Sequence, residues 1–199
     1  MAALLAMPGA ALAEKAKAAP TPGYTEEEIV TLVRSLGKKQ SIPADKLSDL
    51  VSGLRKSLET ADFARHVKKY PVRGVLVFEG GEGGLLVKFM KASGLLSFKG
   101  GRQAAEVSLR TWSAGAQAGG SALWGVALVM GLNSEAHFGG DYSGKLITAT
   151  AGDETTNRAL LLSLKDGKGK RAHDLWVVTA GRGLSAGAGG AKMTISPRW

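Results

Sequence analysis

The sequence predicts an α+β fold, in which a small, mostly antiparallel β-barrel or curled sheet is preceded by an N-terminal helical hairpin. Three observations predict it. Apolar residues up to Leu58 recur at helical spacing, whereas short β-type runs begin after Tyr70-Pro71. The chain also has 28 glycines, about twice the number expected from a usual share of ~7%, and almost all follow Gly74. Helices followed by many short strands are typical of this class.

The first thirteen residues predict a signal peptide. Residues 1–13 are apolar and end in Ala11-Leu12-Ala13, the small-x-small pattern that precedes a cleavage site. No Lys or Arg comes before the apolar run, so we expect the true start to lie upstream. The run is too short for a membrane span, which takes ~20 apolar residues. Residues 14–23 then form an Ala/Lys/Pro-rich tether, and we expect an exported, periplasmic protein.

Residues 24–69 form the predicted helical segment. Thr25 and Glu28 have the spacing of a capping box, and Gly37 is expected to stop this first helix. A second helix begins near Pro43 and carries one apolar stripe: Leu47, Leu50, Val51, Leu54 and Leu58. A third short piece, Asp62 to Lys69, directs Phe63 and Val67 inward.

Residues 70–199 form the predicted β-rich domain. The candidate strands are Val72–Phe78, Leu85–Met90, Leu95–Phe98, Ala105–Ser113, Ser121–Met130, Leu146–Thr150, Leu160–Leu164, Leu175–Thr179 and Lys192–Ile195. Turns are expected at Gly80-Gly81 and Gly139-Gly140, among others. The clearest hairpin signal is Asp166-Gly167.

The stretch from Leu109 to Leu132 is the centre of this predicted β-structure. Its first half places small residues on both faces of a predicted strand. Its second half, Leu123 to Met130, is continuously apolar and predicts a strand buried on both faces. We expect these to be adjacent strands joined by a turn at Gly119–Ser121. Such a pair indicates a tightly curled sheet whose inside holds side chains or a small ligand.

The sequence offers no convincing catalytic site, so we predict a protein that is not an enzyme and needs no metal or other cofactor. It has no cysteine, which excludes thiol chemistry. Gly139 to Lys145 matches GxxxxGK, but Leu146 stands where a phosphate loop needs Ser or Thr. The histidines, His66, His137 and His173, lack neighbours at metal-ligand spacing, and we expect them on the surface or in turns.

The net charge and the distribution of basic residues are the main indications of function. The formal net charge is +9 and the pI is near 9.9, which favours anionic surfaces, although solubility alone would also explain it. Because we expect export, nucleic acid is not a predicted partner. Basic residues cluster on the hairpin around Asp166-Gly167, and we expect binding through this hairpin and a glycine-lined surface around Gly115 to Gly120. The candidate ligand-binding residues are Lys165, Lys168, Lys170, Arg171, Arg182, Trp112, Gly115 and Gln117.

Residues 70–197 resemble the SYLF lipid-binding domain family. Gly74–Phe78 is similar to its opening KGVLVFP strand, although Glu79 replaces the usual Pro. Ser113–Ser121, leading into Val126–Met130, is similar to its GxQxGxQ strand pair. Gly183–Gly187 with Lys192-Met193-Thr194 is similar to its closing segment.

Two short segments, one at the start of the predicted helices and one at the end of the sequence, show a further resemblance. Tyr24–Val30 and Ser196–Trp199 resemble exported relatives that are associated with envelope integrity in Gram-negative bacteria and fold as small β-barrels. Together the resemblances imply binding of anionic phospholipid or another envelope amphiphile. The alternative hypothesis is a structural or adaptor protein that binds an envelope protein partner.

Overall fold

The structure, a computed structural model, describes residues 22–83, 87–101, 105–114, 121–132, 135–150, 157–165, 171–180 and 191–198. The elements within these residues are α1 (Glu26–Lys39), α2 (Ala44–Leu58), α3 (Ala61–Lys69), β1 (Val72–Gly83), β2 (Val87–Phe98), β3 (Ala105–Ala114), β4 (Ser121–Met130), β5 (Gly140–Thr150), β6 (Asn157–Lys165), β7 (Arg171–Ala180) and β8 (Ala191–Arg198). The predicted order is confirmed, with helices first and strands after them.

The strands form a closed antiparallel barrel. Their order around it is β1-β2-β3-β8-β5-β6-β7-β4, and β4 pairs with β1 to close the ring. The expectation that the two halves of Leu109–Leu132 are adjacent strands was wrong. β3 and β4 have β1 and β2 between them, because β4 closes the ring against β1 and β7 instead of folding back on β3.

Strands β1 and β4 are buried on both faces. Val75 and Val77 belong to the cluster shared with the helices, whereas Leu76 and Phe78 alternate with them and belong to the barrel interior. β4 has the same alternation, which confirms that its apolar run is a strand buried on both sides. A strand needs such a continuous run when a helical layer covers the outside of a barrel whose inside is also packed.

Glycines let the barrel curve tightly around its aromatic side chains. Gly125 pairs with Phe78 across β4 and β1, and a Cβ on Gly125 would lie 2.1 Å from the Phe78 ring. A Cβ on Gly80 would lie 2.5 Å from the carbonyl oxygen of Lys91. The turn predicted at Gly80-Gly81 is therefore wrong, because both residues lie within β1.

Most strands extend beyond their predicted bounds, and two differ further. Leu95–Phe98 is not a separate strand but the end of β2, and β5 begins at Gly140. The GxxxxGK segment thus lies at the start of a strand, which is not the geometry of a phosphate loop.

Helix α1 begins as predicted but ends later. Glu28 N donates to Thr25 Oγ1, and Thr25 N donates to the Glu28 carboxylate, which completes the capping box. Gly37 was expected to stop the helix but is buried inside it. A Cβ there would lie 2.6 Å from a methyl of Leu47, so this glycine permits close packing of α1 on α2.

An N-terminal strap fixes α1 to the barrel. Tyr24 N donates to the Val72 carbonyl at 2.8 Å, and Lys99 Nζ donates to the Gly23 carbonyl at 2.9 Å. Lys99 Nζ also lies 2.7 Å from Glu28 Oε2. The hydrogen bond from Lys99 and the backbone N–H of Thr25 together lower the pKa of Glu28. The helical layer is thereby attached where β1 begins.

Candidate cationic site at one end of the barrel

The two ends of the barrel can be told apart by the strand directions. At one end β1, β3, β5 and β7 begin, and β2, β4, β6 and β8 end. Helix α3 leads directly into β1 through Tyr70 and Pro71, so its C-terminus lies at this end. We call it the α3 end.

Helix α3 is fixed to the barrel by a polar contact with β7. His66 Nε2 lies 2.8 Å from Asp174 Oδ2, and Ser163 Oγ on β6 donates to Asp174 Oδ1 at 2.6 Å. The Asp174 side chain is completely buried, and that of His66 is 13% exposed. Because a buried carboxylate is costly unless its oxygens are hydrogen-bonded, this cluster requires α3 to sit at one place on the sheet.

Aromatic packing reinforces the same junction. The Phe63 and Trp176 rings meet edge to face with centroids 5.2 Å apart. The Trp176 indole N–H donates to Ser57 Oγ on α2 at 2.7 Å, inside the buried layer. Phe63 is buried and Val67 is partly buried, which confirms the predicted inward face of α3.

The outward face of α3 is basic. Arg65, Lys68 and Lys69 are exposed, and Lys69 Nζ lies 5.3 Å from the centre of the Tyr70 ring. Arg65 is 3.6 Å from Asp62, an exposed pair that contributes little to stability. All three residues are within three positions of His66 on the same helix. The contact between His66 and Asp174 therefore also determines where these cations lie.

The basic β6–β7 hairpin predicted from the sequence lies at the α3 end. Lys165 is exposed and pairs in register with Arg171, where β6 ends and β7 begins. Ser163, which binds Asp174, is two residues before Lys165 on the same strand. The segments 61–69 and 163–173 contain seven basic and two acidic residues. The fold therefore brings α3 and the adjoining ends of β6 and β7, about a hundred residues apart in sequence, to one place.

The structure does not describe the side chains of the other predicted site residues. Lys168, Lys170, Arg182, Gly115 and Gln117 lie outside the described residues, as do the side chains of Arg171 and Trp112. The backbone of Trp112 pairs with Phe89 and Lys192 on β2 and β8. At the end of the barrel opposite α3, β3 and β7 end and β4 and β8 begin. Residues 115–120 and 181–190 connect these strands in the sequence. The strand residues next to the basic hairpin and those next to residues 115–120 therefore lie at opposite ends of the barrel.

A buried Tyr–His pair lies inside the barrel at the α3 end. The Tyr142 hydroxyl donates to the Phe138 carbonyl and lies 2.5 Å from His173 Nε2. Because the hydroxyl has one hydrogen, His173 Nε2 carries the hydrogen of the second bond, which leaves Nδ1 unprotonated. Burial lowers the pKa of His173 to about 4 and raises that of the Tyr142 phenol.

Only one histidine is where the sequence placed it. His137 is exposed in a single-turn helix, as expected, but His173 is 2% exposed and His66 is partly buried. The expectation for His66 and His173 was wrong because each lies between packed elements that the sequence order does not show to be neighbours. No three His, Asp or Glu side chains among the described residues come together as a metal site requires.

None of the described helices has the length and apolar character needed to cross a bilayer. No family model matches the chain, and no curated protein matches it. Among solved structures, the chain is similar to a β-barrel-like, uncharacterized protein from Brucella abortus. The two are 18% identical, with 90% of this chain and 98% of that chain covered and a TM-score of 0.49.

Proposed function

We propose that this protein binds anionic lipid, or another anionic amphiphile of the cell envelope, through the basic surface at the α3 end. It acts by binding and not by catalysis, in the periplasm, where it supports envelope integrity. One observation carries the proposal. The buried Asp174 contact holds exposed cations of α3 beside the basic β6–β7 hairpin. The resemblance of residues 70–197 to SYLF domains supports lipid as the ligand class.

The expected affinity follows from the number of cations. Each Lys or Arg near an anionic membrane contributes ~1 kcal/mol, so Arg65, Lys68, Lys69 and Lys165 suffice for reversible attachment. Since these side chains are exposed, salt screens them, and the Debye length falls from ~10 Å at 0.1 M to ~3 Å at 1 M. Binding is therefore expected to be strong at low salt and weak at high salt.

A vesicle sedimentation experiment tests the proposal. The purified protein is mixed with phosphatidylglycerol-containing vesicles or with phosphatidylcholine vesicles, and the bound fraction is measured. Replacing Lys68, Lys69 and Lys165 together with Gln removes about 3 kcal/mol, so partitioning onto the anionic vesicles is expected to fall on the order of 100-fold.

A matched control separates position from net charge. Arg34, Arg55 and Lys56 are exposed on α1 and α2, and replacing them with Gln changes the net charge equally. The control is expected to bind anionic vesicles nearly as well as the wild type. Equal losses in both variants would mean that only net charge matters and would refute the α3 end as the site. No binding to either vesicle, with a partner chain cross-linked at Lys165, would favour the adaptor hypothesis.

A further inference from the structure

A groove runs along the outside of the barrel, on strands that α3 does not touch. It lies between the end of α1, at Lys39 and Gln40, and strands β2, β3 and β8, and its volume is about 500 Å³. This is within the range of small-molecule sites, ~300–1,000 Å³. The ring order separates β3 and β8 from β7, on which α3 packs.

The groove has cations on two of its sides. Lys39 comes from the last turn of α1 and Arg198 from the end of β8, and both are exposed. Arg198 pairs in register with Glu106, yet the two side chains form no ion pair, and neither does Lys39 with any described residue. Within the described part of the chain, none of these three charges has an ion-pair partner.

Between the charges lie neutral hydrogen-bonding groups. Ser93 and Ser108 are paired across β2 and β3, and both line the groove with the Gln40 amide. Hydroxyl, amide and carboxylate oxygens accept hydrogen bonds, whereas Lys and Arg only donate them. A simple anion would use the cations and be repelled by Glu106. A saccharide with an anionic group uses both, because its hydroxyls donate to Glu106 and to the serines.

A second groove adjoins the first at Ser93. Its volume is about 440 Å³, and Glu79, Lys91 and Trp124 line it. Trp124 is partly buried, with Lys46 Nζ 5.9 Å from its ring centre. Lys91 lies directly opposite Arg110 on β3, and like charges so placed destabilise a sheet unless an anion lies between them. The two grooves share Ser93, and together they are lined by cations, hydroxyls and carboxylates.

We propose that this pair of grooves binds an anionic oligosaccharide, whose acidic groups contact Arg198 and Lys91 and whose hydroxyls contact Ser93, Ser108 and Glu106. Arg198 and Glu106 lie at the α3 end, but on β8 and β3 and not on β6 and β7, so this inference does not depend on the proposed lipid binding. An oligosaccharide is favoured over a single sugar because the two grooves meet at Ser93.

Calorimetry with three probes tests this site: a uronic-acid trisaccharide, a neutral trisaccharide and inorganic phosphate. The wild type is expected to bind the acidic trisaccharide at least tenfold more tightly than either of the others. Arg198→Gln is expected to weaken its binding on the order of tenfold, since a hydrogen bond to a charged group is lost. Arg34→Gln is the control of equal charge and is expected to change nothing.

A steric variant distinguishes a saccharide site from an ion site. Ser93 is exposed, so Ser93→Tyr fills the junction of the grooves without disturbing the core. It is expected to lower binding of the acidic trisaccharide at least tenfold and to leave phosphate binding unchanged, whereas Ser35→Tyr on α1 alters neither. Undiminished trisaccharide binding by Ser93→Tyr, equal binding of the neutral trisaccharide, or binding of phosphate alone would overturn the inference. Ser93→Tyr changes no charge and lies away from the strand ends, so its vesicle binding is expected to match the wild type, and the two proposals fail separately.

Discussion

At the scale of single residues, the barrel interior depends on a histidine that stays neutral. His173 and Tyr142 are buried, and because the Tyr142 hydroxyl donates to Phe138, His173 donates to it from Nε2. Burial keeps the imidazole uncharged. Protonation at Nδ1 would place a charge in this interior. The rings of Phe138 and Tyr142 lie beside the imidazole, with centroids 6.5 Å and 5.4 Å from that of His173.

This histidine makes stability depend on pH. The unfolded His173 binds a proton with a pKa near 6.5, whereas in the folded protein burial lowers that pKa to about 4. Between those values the unfolded state holds more protons, so stability falls as the pH falls from about 6.5 to about 4. The expected loss is about 3 kcal/mol between pH 7 and pH 4.

Urea unfolding across this range measures the effect. In His173→Gln this contribution disappears, and stability is expected to vary less between pH 7 and pH 4 than in the wild type. His137→Gln, at an exposed position, removes only the smallest influence on the His173 pKa and is expected to keep most of the wild-type dependence. Identical pH profiles for His173→Gln and the wild type would contradict a buried neutral histidine.

At the scale of elements, the helices are attached to the barrel by a few buried polar contacts within a large apolar layer. The Trp176 indole reaches Ser57 on α2, and Asp174 reaches His66 on α3, both from β7. The sequence predicted the existence and inner faces of all three helices from their apolar spacing. It could not predict the extension of α1 beyond Gly37, because that depends on the close packing of Leu47 against this glycine.

Loss of the Ser57 hydroxyl tests how much one such contact contributes. Ser57→Ala leaves the buried Trp176 N–H without its acceptor, so the free energy of unfolding is expected to fall by about 1–3 kcal/mol. Ser52→Ala is the matched control, since Ser52 is exposed on the same helix and alanine favours helix. Urea unfolding measures the free energy of unfolding of both variants. A Ser57→Ala protein as stable as Ser52→Ala would show that the indole needs no partner.

At the scale of the whole molecule, the antiparallel barrel after helices was predictable, but its strand order was not. Alternating and doubly apolar runs identify strands, yet nothing local to β3 or β4 shows that β4 pairs with β1 and β7. The same limit applies to the site. Lys165 was identified from its hairpin, but Arg65, Lys68 and Lys69 join it only because Asp174 binds His66 across the sequence.

Strand order also separates surfaces that the sequence had combined. The basic hairpin and the flanks of Gly115 to Gly120 were expected to share one binding surface, whereas the strands carry them to opposite ends of the barrel. The grooves on β2, β3 and β8 were not predicted at all. Ser93, Ser108 and Arg198 become neighbours only through the pairing of β8 with β3.

Hydrogen exchange on anionic vesicles tests most directly whether the α3 end is the surface that meets the membrane. Amide exchange is measured by mass spectrometry with phosphatidylglycerol-containing vesicles and with phosphatidylcholine vesicles. We expect the anionic vesicles to slow exchange in α3 and at the adjoining ends of β6 and β7, and 1 M salt to abolish this effect. Slowed exchange confined to the opposite end of the barrel, or equal exchange with both vesicles, would contradict this expectation.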